Sequence, residues 1–226
     1  MNNNKAFISI HFLNDMRILH WLFILSLVLI IFLSSFSIMY FDKEFYFNQF
    51  EKNGGYERLG RENVNNNFNE LMGYFQGNNE LKTGFFTLNE KKHLGDVKGI
   101  LDNAFGVFYL ALGASFLILI YLLVEKKDIS YDFIFSGVIT LCIVLIAAAI
   151  ALFNFSWLFT EFHLFSFDNE LWLLPGNSNL IMMFPREFFF AIFLRILLIT
   201  AGFSLVFIAL GYSLKRNYSA FMRRFI

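Results

Sequence analysis

Four stretches of the chain run for twenty residues or more almost without a charge, and longer segments of mixed character separate them. A membrane-spanning helix needs about 20 mostly apolar residues, so the pattern predicts spans over residues 18–40, 105–124, 133–153 and 188–210, the last interrupted by Arg195. The segments between them are 41–104, 125–132 and 154–187. Within the first of these, Phe68, Leu71, Met72 and Phe75 recur at the spacing of one helical face. That spacing predicts an amphipathic helix lying on the bilayer surface, with a lid over a site as the sharper alternative. Further on, Thr87 and Glu90 have the spacing of a capping box, so a helix is expected to start there and run without a proline into the second span.

Composition agrees with the pattern. Of 226 residues, 57% are hydrophobic, 33 are phenylalanine and only 16% are charged. A soluble domain of this size has too little interior to hide so much apolar surface. The expected class is therefore an all-α membrane protein, a single integral membrane domain over residues 1–226. Lys+Arg and Asp+Glu number 18 each, which leaves no basic excess for nucleic acid, and none is expected as a partner. The single Cys142 excludes an intrachain disulfide framework and reads as a packed apolar thiol. The first span lacks an A-x-A site and reads as retained rather than cleaved.

Basic residues set the expected orientation. The amino-terminal segment, the 125–132 connection and the tail from Gly211 hold Lys5, Arg17, Lys126, Lys127, Lys215, Arg216, Arg223 and Arg224, eight in 41 positions. Residues 41–104 and 154–187 hold nine basic residues in 98 positions, against fourteen acids. Both termini are expected to be cytoplasmic and both long loops extracytoplasmic. The architecture is then two outward-facing helical hairpins with a long first extracytoplasmic loop.

Two of the four histidines, His93 and His163, fall on the outer side at one membrane level, each among carboxylates and aromatics. Glu90 and Asp96 lie three residues to either side of His93 and can share its helical face. His163 is followed by Asp168 and by Trp172, which suits an interface. The segment up to Pro185 is too apolar for a solvent loop and is expected to re-enter or hug the bilayer. His11 and His20 fall on the cytoplasmic side and read as incidental. Arg195 lies about 13 Å below the outer end of its span at helical rise; pairing with Glu161 or Glu187, or aiming positive charge at a lipid ester oxygen, would each account for it.

The sequence contains no G-x-S-x-G elbow, Walker loop or dinucleotide fingerprint. Two histidines with Asp96 and Asp168 offer ligands to a metal, but no tight ligand spacing accompanies them, and neither metal nor cofactor is expected. Proton transfer by histidine needs only what the sequence offers.

The blocks LMGYFQG, TLNEKKHLGDVKGI, FHLFSFDNELWLL and NLIMMFPREFF resemble the lipoprotein intramolecular transacylase (Lit) family of low-GC Gram-positive bacteria. The resemblance spans nearly the whole chain. It implies catalytic roles for His93 and His163; Asp96, Arg195, Asp168 and Trp172, by their placement, are expected to bind substrate or support the site. It also implies an activity at the extracytoplasmic face of the cell membrane. The sn-2 acyl chain of a diacylglyceryl lipoprotein would move onto the α-amine of its own amino-terminal cysteine. The nucleophile then belongs to the substrate, and membrane lipid is the surrounding partner. A non-catalytic four-span subunit and a histidine-dependent, metal-using membrane hydrolase are the competing classes.

Overall fold

A computed structural model describes the backbone of residues 2–82 and 84–222 and the side chains of 16–82 and 84–216. The side chains of Lys5 and His11, and those of Arg223 and Arg224, lie outside the described residues. Among the described residues all regular structure is helical: α1 (Asn2–Phe41), α2 (Lys43–Lys52), α3 (Gly55–Leu59), α4 (Arg61–Phe75), α5 (Leu88–Val124), α6 (Ser130–Ser166), α7 (Asn179–Met183) and α8 (Arg186–Met222). Four of them, α1, α5, α6 and α8, are long and apolar enough to cross a membrane. A helix of 37 residues such as α5 is about 55 Å long, against a hydrocarbon core of about 30 Å. Its overhang lies at the amino-terminal end, where Glu90, Lys91, Lys92, Asp96, Lys98 and Asp102 precede the apolar run from Phe105. The overhang of α6 follows Asn154, whose φ of −156° and ψ of 80° interrupt the helix. Asn154 Oδ1 accepts from Trp157 N–H at 3.1 Å and caps the second part. The apolar run therefore ends where a polar side chain restarts the helix.

The chain divides into two compact units. The first comprises Met1–Phe36, Gly106–Ile146 and Leu197–Ile226. Its buried centre is Met16, Phe23, Leu27 and Leu122, with Phe133 edge-on to Phe23 at 6.0 Å. Most of its large apolar side chains are exposed instead, among them Trp21, Leu110, Leu117 and Leu205, as expected where lipid is the solvent. Close helix packing here depends on small residues. A Cβ on Gly137 of α6 would stand 2.6 Å from the Ser204 carbonyl oxygen of α8, and one on Gly211 of α8 would stand 2.6 Å from that of Ser130. The contact is reciprocal: each helix supplies one serine and one glycine seven residues apart. Cys142 lies exposed on this unit's surface, not packed as its apolar setting suggested. His20, read as incidental, has its Nδ1 2.7 Å from a buried Asp132 carboxylate.

The second unit comprises Ser37–Phe105 and Ala147–Ile196. Asp42 ends α1 and caps α2 by accepting from Phe45 N–H at 3.0 Å. Gly54 and Gly60, with φ of 69° and 81°, make the left-handed turns that separate α2, α3 and α4. Phe50 sits fully buried at the centre. Its ring stacks on Phe188 at 5.5 Å and meets Phe68, Phe184 and Tyr56 edge-on. Phe68, Leu71 and Met72, the expected bilayer-facing stripe, are 1%, 2% and 4% exposed inside this core. The helical face is present, but it packs on protein. The apolar stretch before Pro185 behaves likewise: Leu180, Met183 and Phe184 are buried in the same core.

Candidate active site

His93 owes its position to the start of α5. Thr87 N–H donates to Glu90 Oε2 at 2.6 Å, and Glu90 N–H donates to Thr87 Oγ1 at 3.4 Å, closing the capping box. Glu90 Oε1 also accepts from Leu180 N–H at 2.8 Å, and Asn179 Nδ2 donates to the Phe85 carbonyl at 2.7 Å. The fully buried Glu90 thus joins the first turn of α5 to the start of α7. Its oxygens are committed to backbone amides, so it does not serve His93 as the shared-face spacing suggested.

His163 lies on the part of α6 that follows Asn154 and meets His93. Their ring centroids are 6.2 Å apart with 28° between planes, and both residues are buried. His163 Nδ1 is 2.7 Å from the Phe159 carbonyl one turn earlier. A carbonyl only accepts, so Nδ1 carries the proton and Nε2 of the neutral ring keeps its lone pair. His93 Nδ1 is buried without a hydrogen-bond partner among the described residues, and such an atom is costly unless something else meets it. Aromatic side chains wall the pair. Phe159 and Trp172 lie 4.2 and 4.9 Å from the His163 ring, and Phe167 lies 5.6 Å from it and 5.1 Å from His93.

Both histidines stand on the overhangs, outside the membrane-spanning stretches. Burial pushes the His93 imidazole down to about 4, and the neighbouring His163 pushes the same way while Asp96 opposes. Burial lowers His163 as well, and its hydrogen bond to the Phe159 carbonyl offsets part of that. At neutral pH the site holds two uncharged imidazoles: one fixed as a proton acceptor at Nε2, the other with an unmet nitrogen.

The remaining expected residues divide. Asp96 is present, one turn from His93, and accepts from Asn169 Nδ2 at 3.0 Å. Trp172 is present as a wall. Asp168 is exposed and makes no hydrogen bond or ion pair among the described residues; its neighbour Asn169 makes the contact instead. Arg195 pairs with Asp42, and its guanidinium lies 4.4 Å from the Phe45 ring centroid. Neither Glu161 nor Glu187 is its partner. Its partner is the acid that caps α2, 153 residues away in sequence. Phe159 and Phe167 were legible in principle: they stand four residues before and after His163, the first on its helical face and the second just past the end of α6. No three His, Cys, Asp or Glu side chains gather as a metal site among the described residues.

The family model for lipoprotein intramolecular transacylase Lit matches residues 21–189, most of the chain and both histidines. The chain belongs to the Lit family. Lit is an acyltransferase that acts on lipoproteins. The fold is that of solved Lit structures. The membrane-integral Lit of Bacillus cereus is 23% identical over 92% of this chain and 97% of its own, with a TM-score of 0.79. A variant of that Lit with one histidine changed to arginine is 22% identical over 95% of this chain and 99% of its own, at 0.80. No match is found among curated protein sequences. The chain is a multi-pass membrane protein of the Lit fold, with four apolar helices.

Proposed function

We propose that the chain moves the sn-2 acyl chain of a diacylglyceryl lipoprotein onto the α-amine of that lipoprotein's amino-terminal cysteine, leaving the lyso form. The observation that carries this reading is the pair of neutral imidazoles 6.2 Å apart, walled by aromatic side chains. The substrate supplies the nucleophile. The amine nitrogen attacks the ester carbonyl, the N–C bond forms and the C–O bond to glycerol breaks. The amine's proton passes through His163 Nε2 to the departing glyceryl oxygen. His93 donates a hydrogen bond to the developing oxyanion, which a neutral imidazole does well. Asp96 supports His93 through its charge, Trp172 closes the enclosure, and Arg195, held by Asp42, ties α8 to the start of α2 rather than touching the ester. Ester and amine share one molecule, so the enzyme's main task is orientation, and well-oriented intramolecular reactions reach effective molarities of about 10⁵ M or more.

The basic density of the short connection and tail supports cytoplasmic termini and an extracytoplasmic site in a bacterial cell membrane, at the level where the ester lies. The test is a synthetic diacylglyceryl lipopeptide incubated with the protein in proteoliposomes. Intact mass stays unchanged, while fragmentation shows an acyl group on the cysteine nitrogen and one ester lost from glycerol. At pH 7, His93→Ala and His163→Ala bring the shift down to the background rate without enzyme. Fatty acid released in place of the shift, or an equal shift in both variants, overturns the proposal.

A further inference from the structure

Acyl transfer and hydrolysis begin from the same ester and differ in the nucleophile. A site that holds an activated ester beside a base must keep water away, or the ester C–O bond breaks toward fatty acid instead. In hydrolysis a water oxygen bonds to the acyl carbon, the glyceryl oxygen takes the proton, and the cysteine amine is left free. The segment after α6, residues 167–178, contains no helix, yet it carries Phe167, which touches both imidazoles, and Trp172, which covers His163. Phe167 N–H donates to the His163 carbonyl at 3.0 Å, and Leu173 and Leu174 N–H donate to the Glu170 and Trp172 carbonyls, so backbone bonds shape the segment locally; what ties it to α5 is a side-chain contact. Asn169 uses both ends of its amide here. Its Oδ1 accepts from Leu171 N–H at 2.9 Å, shaping the turn, and its Nδ2 donates to Asp96 Oδ2 at 3.0 Å, tying the turn to α5 one helical turn past His93.

We infer that Asn169 is a positioning residue that decides the acceptor: by clasping Asp96 it holds Phe167 and Trp172 across the two histidines, keeps water from the ester, and so directs the acyl chain to the amine. This rests on the acyl-transfer reading of the histidine pair. Because Asn169 is exposed and Asp96 half-buried, the clasp is a modest interaction poised to open, unlike the Glu90 tether.

Asn169→Asp keeps the side chain's shape and its acceptor for Leu171 N–H, but sets one carboxylate against another. A second variant, Asp96→Asn with Asn169→Asp, restores the hydrogen bond with donor and acceptor exchanged. Both are assayed in proteoliposomes with the diacylglyceryl lipopeptide, reading the ratio of free fatty acid to N-acyl product. Hydrogen exchange of residues 167–174 is read separately and needs no turnover. The single variant is expected to raise that ratio and that exchange about tenfold, equivalent to 1.4 kcal/mol of clasp, and the double variant to return both toward wild type. A fall in both products at constant ratio, or unchanged exchange in Asn169→Asp, overturns the inference. Absence of any acyl shift in the wild type overturns the acyl-transfer reading itself, while the exchange result still reports on the clasp.

Discussion

Replacing Glu90 by glutamine tests the scaffold under His93 with almost no change in volume. Both carboxyl oxygens are used, one by Thr87 N–H at 2.6 Å and one by Leu180 N–H at 2.8 Å, in a residue with no exposed surface. Glutamine offers one oxygen and an amide nitrogen, so either amide N–H can be met but the other faces a donor. A hydrogen bond to a charged group contributes about 1.5–3 kcal/mol, and an unmet buried donor costs about 1–3 kcal/mol more. The variant also loses a negative charge from the first turn of α5, where the helix dipole favours one. Part of this is recovered by relaxation, so a net loss of about 3 kcal/mol is expected, roughly a hundredfold in local opening. Hydrogen exchange by mass spectrometry, on protein in lipid nanodiscs, reads it directly. Peptides covering 85–92 and 178–184 should both exchange about a hundredfold faster, while those from the α6–α8 contact at Gly137 stay unchanged. Acceleration of one peptide without the other would refute the idea that Glu90 couples α5 to α7.

Gly137→Ala should lower thermal stability in detergent, since its Cβ would meet Ser204 and Ile208 at 2.6 Å, at a cost of about 1–3 kcal/mol; Gly106→Ala, with nothing within 4 Å, should be neutral or stabilising by up to about 1 kcal/mol. Equal effects at the two sites would count against the packing argument. His93, held near 4 when folded against an ordinary 6.5, contributes stability that is fully present above pH 6.5 and lost as pH falls through about 4, up to about 3 kcal/mol. The melting temperature of wild type should therefore fall relative to that of His93→Phe as pH is lowered from 6.5 to 4, and parallel curves would contradict this. With the His93 imidazole held near 4 and His163 also lowered, the wild-type rate between pH 6.5 and 8 should climb tenfold per unit with the substrate amine alone, whose ordinary pKa is about 8; a slope of two in log rate over that range would show a histidine titrating above its ordinary value.

The membrane-crossing helices were legible in the sequence because a lipid-facing helix is apolar all round and needs no periodicity to be recognised. The capping box at Thr87 was legible because its chemistry is local. The stripe of Phe68, Leu71 and Met72 predicted a helix but not its partner. In a membrane protein an apolar face fits either bilayer or protein, and only the phenylalanines of α2 and α8 gathered around Phe50 decide between them. The same limit applied to Arg195. Its need for an anion was visible, but Asp42 is 153 residues away, and helix spacing pointed to nearer acids. His163 was placed by its flanking pattern, whereas its tautomer depends on a backbone carbonyl that sequence does not display.

The two histidines are not interchangeable in the proposed reaction, and their environments say which is which. An ammonium of pKa about 8 would have to lose its proton to an imidazole near 4, about 5 kcal/mol uphill; His93 is therefore a poor base and a good neutral donor. His163 keeps more of its basicity through the Phe159 carbonyl, which also fixes the lone pair on Nε2. Once the neutral amine has attacked, its N–H becomes acidic, and His163 is the group placed to take that proton. Without His163, hydroxide must do so, and the rate then follows hydroxide concentration. The pH profiles should accordingly separate. The wild type levels off above about pH 8, His93→Gln levels off at the same pH but lower, and His163→Gln continues to rise tenfold per unit toward pH 9.5 or so. The measurement is initial acyl-shift rate against pH for the three proteins in the same proteoliposomes. A plateau in His163→Gln together with a continued climb in His93→Gln would reverse the assignment of base and donor.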